Sequence, residues 1–212
     1  MLKKYDVIQQ CSVSHFVSHL RIKSIPRPAL GKVSKGEKMT QNISQTPIKP
    51  RFGAVENKIA VLFICHGNIC RSPMAEFVFK DLVAKSGYAS DFFVSSAATS
   101  TEEIGNPVHH GTRNKLAQFH ISTAGKYAVQ MKRSDYEKYD YLIGMDDWNI
   151  KNINRIIGQD PENKVYKLLD FTDHSRAIAD PWYTGDFDKT YEDIKEGCEA
   201  FLEYLKHQGE IF

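Results

Sequence analysis

The stretch Ile59-Ala-Val-Leu-Phe-Ile-Cys65-His-Gly-Asn-Ile-Cys-Arg71-Ser-Pro73 decides the fold. Its first six residues form an unbroken apolar run with no polar face. Such a run suits a strand buried on both sides of a parallel sheet. The run ends in a short loop opened by Cys65-His-Gly67-Asn68. Residues 72–85 then carry a helical pattern, with Ser72 as its cap, Pro73 at its first helical position and Gly87 marking its end. Working outward, residues 92–96 read as a strand and 106–119 as a helix opened by Asn106-Pro107. Residues 139–145 read as a third strand, 147–157 as a helix closed by Gly158, and 165–171 as a fourth strand. A final helix over 191–207 places Ile194, Cys198, Phe201, Leu202 and Leu205 on one stripe. Strands alternating with helices through short connections predict an α/β fold, in which helices flank a four-stranded parallel sheet in three layers. Ligands in such folds sit at the carboxyl ends of the strands, which is where the loop 65–71 lies.

The chain has 212 residues, 28 Lys or Arg and 26 Asp or Glu, for a net charge of +2. No run of 18 apolar residues exists, so no membrane span is expected. Four Cys are too few for a disulfide scaffold at this length. The charge is unevenly spread: residues 1–57 carry ten basic and three acidic side chains, a net +7, against −5 for the remainder. Residues 24–57 are rich in Ser, Pro, Gly, Lys, Gln and Asn and show no period. Residues 1–57 are therefore expected to be a basic, disordered extension, and 58–212 the folded domain. Gln9, Gln10, His15 and His19 interrupt any signal-like apolar segment. Upstream sequence preceding a start at Met39 is the competing account of the extension. No nucleic-acid partner is expected.

The loop carries the chemistry. Its backbone N–H groups and those of the following helical turn point into one cup, suited to a tetrahedral oxyanion. Gly67 allows a tight turn and close approach to a ligand. Arg71 adds a planar fork for two phosphate oxygens. Cys65, at the base, gains thiolate character from the same groups. The Ser72 hydroxyl is placed to donate to that sulfur, and Asn68 to brace the loop through side-chain bonds to backbone. Arg71 would repel a metal cation, and no second Cys pair follows Cys65 and Cys70, so neither a metal nor another cofactor is expected. A thiolate attacking phosphorus needs a leaving group, and an aryl oxide benefits from a general acid. The candidate is Asp180 in Asp180-Pro-Trp-Tyr-Thr-Gly185. Pro181 holds Asp180 in extended backbone, and Trp182 and Tyr183 supply aromatic walls for a phenyl ring.

Over residues 58–207 the sequence resembles the low-molecular-weight protein-tyrosine phosphatases of bacterial type. The motif Cys65-His-Gly-Asn-Ile-Cys-Arg-Ser-Pro-Met-Ala-Glu76 resembles that family's phosphate loop, Asp180-Pro-Trp-Tyr-Thr-Gly185 its acid loop, and Gly144-Met-Asp-Asp-Trp-Asn149 the end of its third strand. The resemblance implies metal-independent hydrolysis of phosphotyrosine and small aryl phosphates through a phosphocysteine on Cys65, with Asp180 as acid and then base. It implies substrate contacts from His66, Gly67, Asn68, Ile69, Cys70, Ser72, Trp182 and Tyr183, with His66 facing outward at the rim. Ser96 resembles a supporting residue, and Cys70 a redox partner that traps oxidised Cys65. Gly125 stands where some relatives place a supporting His, and the 100–103 loop carries Glu102 and Glu103 in place of an aromatic wall. Phosphotyrosine proteins, a tyrosine kinase among them, are the implied partners, and the reactive Cys pair points to a reducing cytoplasm.

Three rivals compete. An arginine phosphatase of the same fold resembles Cys-x-Gly-Asn-Thr-Cys-Arg; Ile69 replaces that Thr and favours an aryl phosphate. An arsenate reductase needs further relay cysteines, and only Cys198 lies beyond the loop. A non-catalytic phosphotyrosine-binding module needs neither Cys65 nor Asp180. His109 and His110 read as exposed or capping residues at a helix start.

Overall fold

In the computed structural model, which describes residues 58–211, strand β1 (Ile59–Cys65) is buried along its whole length. It pairs in parallel with β2 (Phe92–Ala98) on one edge and with β3 (Tyr141–Gly144) on the other. β4 (Val165–Lys167) adds to the far side of β3, also in parallel, giving the order β2-β1-β3-β4. The four-stranded parallel sheet expected from the sequence is present. The basic extension, residues 1–57, lies outside the described residues.

The period of two along β1 divides its side chains between two cores. Ile59, Val61 and Phe63 join α1 (Arg71–Lys85) and α6 (Phe187–His207) on one face. Ala60, Leu62 and Ile64 meet Ile153 and Ile157 of α4 (Asp147–Ile157) on the other, with Tyr136 of the short helix α3 (Asp135–Lys138). Three layers result. At the centre of the first core, the Phe79 ring lies 5.8 Å from Phe63, 5.3 Å from Phe92 and 5.3 Å from Phe201. Two of these contacts are edge-to-face, the geometry the ring quadrupole favours. Among the described residues, no helix is long and apolar enough to cross a membrane.

The chain leaves β1 for β2 on one side and later returns to β3 on the other. That reversal opens a crevice at the carboxyl end of β1, the switch point at which parallel α/β sheets bind ligands.

Several boundaries differ from the sequence reading, each for a local reason. The first helix begins at Arg71, one residue early, because Ser72 spends its hydroxyl on Cys65 and does not cap. The second helix, α2, spans only His110–Ala117: Pro107 is drawn into an antiparallel bridge with Tyr127, and His109 caps instead, its Nδ1 accepting from the Gly111 amide at 3.1 Å. β4 stops at Lys167 and turns into a 3-10 segment over Leu168–Phe171. The last helix starts four residues early because Asp186 caps it, accepting from the Lys189 amide at 2.8 Å. The 4-residue helix α5 (Pro181–Thr184) has no counterpart in the sequence reading.

Replacing Phe79 with Ala removes the ring that joins α1, β1, β2 and α6. The expected loss is about 3–5 kcal/mol of unfolding free energy, the usual cost of emptying a fully buried aromatic site, measured by urea denaturation.

Candidate active site

Cys65 is the last residue of β1, and its sulfur is held from behind. The Ser72 hydroxyl lies 3.1 Å from Sγ, and the Asn68 amide donates to Sγ at 3.3 Å. The backbone reaches this arrangement by putting Asn68 at φ +58°, left-handed space that Asn tolerates better than most residues. Such a conformation costs on the order of 1–3 kcal/mol and needs surrounding bonds to over-determine it. Asn68 supplies them: its side-chain Nδ2 donates to Ser72 Oγ at 2.9 Å and to Ser96 Oγ at 2.8 Å, and its Oδ1 accepts from the Val129 amide at 3.1 Å. Gly67 is needed for space and not for φ. A Cβ there would sit 3.0 Å from the Glu103 side chain, which packs over the loop.

Beneath the loop lies a charged network that the sequence reading missed. Ser96 Oγ donates to the carboxylate of Glu76 at 2.6 Å. Lys126 Nζ pairs with the same carboxylate at 3.1 Å and donates to the Ser96 carbonyl at 2.9 Å. Lys80 reaches it from solvent at 2.5 Å. Glu76 is 4% exposed, and two ammonium groups and the Ser96 hydroxyl meet its carboxylate, as a buried acidic side chain requires. Gly125 does not itself fill the supporting position. It takes φ +79°, and the next residue, Lys126, does the work. The signal available was a Lys immediately after a Gly in a segment quoted for its missing His.

Arg71 is 3% exposed and faces two carboxylates. Its Nη1 donates to Asp146 Oδ2 at 2.5 Å and to the Ile178 carbonyl at 3.1 Å, while Nη2 is held by Asp180 Oδ2. Burial opposes its charge, but Cys65, Asp180 and Asp146 outweigh that and hold its pKa above the ordinary value. Asp146 was not singled out from sequence. It ends the β3 segment in the same crevice and also caps α4, accepting from the Asn149 amide at 2.6 Å. Asp180 caps α5, its Oδ1 accepting from the Trp182 amide at 3.1 Å.

Cys65, His66, Gly67, Ile69, Cys70, Arg71, Asp180, Trp182 and Tyr183 line one open pocket. Glu102 and Glu103 complete its rim. His66 faces the rim as expected and meets Glu102 at 3.0 Å. Trp182 and Tyr183 are 57% and 85% exposed, so the aromatic wall stands free to receive a ring. Asn68, Ser72 and Ser96 are fully buried and do not line the pocket. Their side chains brace the loop from behind, Ser72 against Cys65 and Asn68 against Ser72 and Ser96. Cys198 is buried in the first core, away from the loop.

Burial, with Cys65 and Asp180 close by, pushes the Cys70 thiol up from 9.0 to about 12, against the pull of Arg71 and Thr112. Between those values the unfolded chain has lost this proton and the folded chain has kept it. Stability is therefore unaffected below pH 9 and falls as pH rises towards 12. Cys70→Ala is expected to make that alkaline loss shallower in denaturation curves recorded across this range.

Removing Lys126 leaves the buried Glu76 with Lys80 and the Ser96 hydroxyl. Lys126→Met is expected to cost about 3 kcal/mol, the low end for breaking a buried pair. It should lower kcat more than it raises KM, because the loop loses its brace while the pocket walls stay. Denaturation and steady-state kinetics on the same preparation check both.

Residues 60–210 match the low molecular weight phosphotyrosine protein phosphatase family. The chain is 39% identical over 155 residues to the low molecular weight protein-tyrosine-phosphatase YfkJ of Bacillus subtilis, covering 72% of this chain and 99% of that one. The crystal structure of YfkJ superposes with a TM-score of 0.69 at 40% identity, covering 71% of this chain and 96% of that one. The Drosophila arginine phosphatase gives a TM-score of 0.63 at 30% identity, covering 69% of this chain and 97% of that one.

Proposed function

The chain belongs to the low molecular weight phosphotyrosine protein phosphatases, cysteine-dependent hydrolases, and on that premise we propose that Cys65 is its nucleophile, Arg71 its phosphate clamp and Asp180 its general acid and base. The observation that carries this assignment is their convergence in one pocket beside exposed Trp182 and Tyr183. Residues 58–212 are the phosphatase domain in this reading.

The phosphoryl group enters the cup formed by the loop amides and Arg71. Cys65 sulfur attacks phosphorus, and the phosphorus–oxygen bond to tyrosine breaks. A protonated Asp180 gives its proton to the departing phenolic oxygen. Water then attacks the phosphocysteine, Asp180 takes a proton from it, and the thiolate leaves as inorganic phosphate forms. Ser72 Oγ and the Asn68 amide, both within reach of the sulfur, stabilise the thiolate at the start and at the end. Loop amides and the Arg71 guanidinium stabilise the equatorial oxygens, which is where phosphoryl transfer needs the protein most.

Tyrosine is favoured over arginine as the phosphorylated residue. Ile69 lines the pocket with an apolar branched side chain, and Trp182 adds an aromatic one. The substrates are phosphotyrosine proteins, a tyrosine kinase of the same cell among them. Three buried, unbridged thiols, Cys65, Cys70 and Cys198, suit a reducing compartment, the cytoplasm.

The test is hydrolysis of a phosphotyrosine peptide and of phosphoarginine in EDTA. Wild type is expected to give the higher kcat/KM with phosphotyrosine, Cys65→Ser no turnover, and Asp180→Ala a kcat lowered about 10²–10⁴-fold, as for loss of a general acid. A higher kcat/KM for phosphoarginine would overturn the tyrosine assignment, and full activity in Cys65→Ser the nucleophile.

A further inference from the structure

The pocket separates its charges by depth. At the floor, Arg71 is buried, and its Nε–H has no protein partner among the described residues. It is the one unpaired buried donor among the pocket-lining side chains, and it marks where an anion lands. Glu102 and Glu103 line the same pocket, and the Glu102 side chain is 69% exposed. Arg71 is the only Lys or Arg lining the pocket, and it sits below both.

Glu103 is fixed in place. Its stem packs over Gly67, and its Oε2 accepts from Asn106 Nδ2 at 2.6 Å. Glu102 is 69% exposed at its side chain and shares one oxygen with His66, at 3.0 Å. Both carboxylates stand at the mouth while a phosphotyrosine ring fills the pocket, so they face what the substrate carries on either side of its phosphotyrosine. His110 and Arg113 do not line the pocket.

We propose that Glu102 and Glu103 form an acidic selectivity rim, which favours phosphotyrosine flanked by Arg or Lys and rejects phosphotyrosine flanked by Asp or Glu. The inference rests on the phosphatase reading above and adds to it the class of sequence accepted. Attraction is half of the device. The other half is repulsion, because an acidic flank brought against two carboxylates is penalised without any contact being lost elsewhere. The fixed geometry of Glu103 limits the entropy spent in meeting a cation, and the exposure of Glu102 keeps the effect modest and sensitive to salt.

The experiment compares kcat/KM of the full chain for three phosphotyrosine peptides that differ only in their flanks, basic, Ala or acidic, with para-nitrophenyl phosphate as a substrate without flanks. Wild type is expected to prefer the basic peptide over the acidic one by about 3- to 10-fold at low ionic strength, the scale of one or two exposed ion pairs. The ratio should shrink towards one at about 0.5 M salt, where charges this exposed are screened. It should also shrink in Glu102→Gln and further in the Glu102→Gln/Glu103→Gln double variant, with unfolding midpoints recorded to show that each variant folds. Hydrolysis of para-nitrophenyl phosphate with no preference among the peptides, or a preference that survives in Glu102→Gln and the double variant alike, overturns the rim and leaves the phosphatase reading intact. Failure to hydrolyse para-nitrophenyl phosphate overturns that reading, and the rim with it.

Discussion

Everything in this molecule depends on a strand with no free side. β1 is paired on both edges and covered on both faces, so its end cannot shift without disturbing the sheet and two cores together. Cys65 is the last residue of that strand. Its position is fixed by hydrophobic burial before any polar bond is made. The loop that follows inherits that fixed start, and α1 fixes its other end. Between two rigid elements, one residue in left-handed conformation, Asn68, is enough to curl the backbone around the sulfur.

Buried charge is the second constraint, and it is settled in two places. Below the loop, Glu76 is met by Lys126 and Lys80, and its carboxylate anchors Ser96, which in turn anchors Asn68. Above the loop, Arg71 is met by Asp146 and Asp180. A buried pair repays its desolvation only when the geometry is good, although breaking one is costly, so net stability is not the main thing these clusters supply. What they provide is placement. The lower cluster sets the donors that face Cys65, and the upper one sets the guanidinium that faces an incoming anion.

Much of this was legible in the residues. The apolar run 59–64, the helix behind it and the alternation of strands and helices carried the topology, because burial on both faces leaves no other period for a strand. Cys65, Arg71 and Asp180 were legible because each is a residue type that its chemistry requires. The missed parts share a physical cause. Lys126 and Glu76 are ordinary surface types in composition, and only the fold brings them together under the loop across 50 positions of sequence. Asp146 caps α4, and its second duty towards Arg71 depends on β3 lying beside β1, a pairing no local pattern around residue 146 shows. Asn68 was expected to brace the loop through backbone bonds; the curl of the backbone turns it inward, and it also bonds the Ser72 and Ser96 hydroxyls. The helix starts at 107 and 191 slipped because the caps used, His109 and Asp186, won over Pro and the apolar stripe.

Asp180 holds the amide that starts α5, and α5 carries Trp182 and Tyr183. The other oxygen of the same carboxylate holds the Arg71 guanidinium. The exposed aromatic wall and the buried cation therefore hang from the two oxygens of one side chain, and a shift of either pulls on the other.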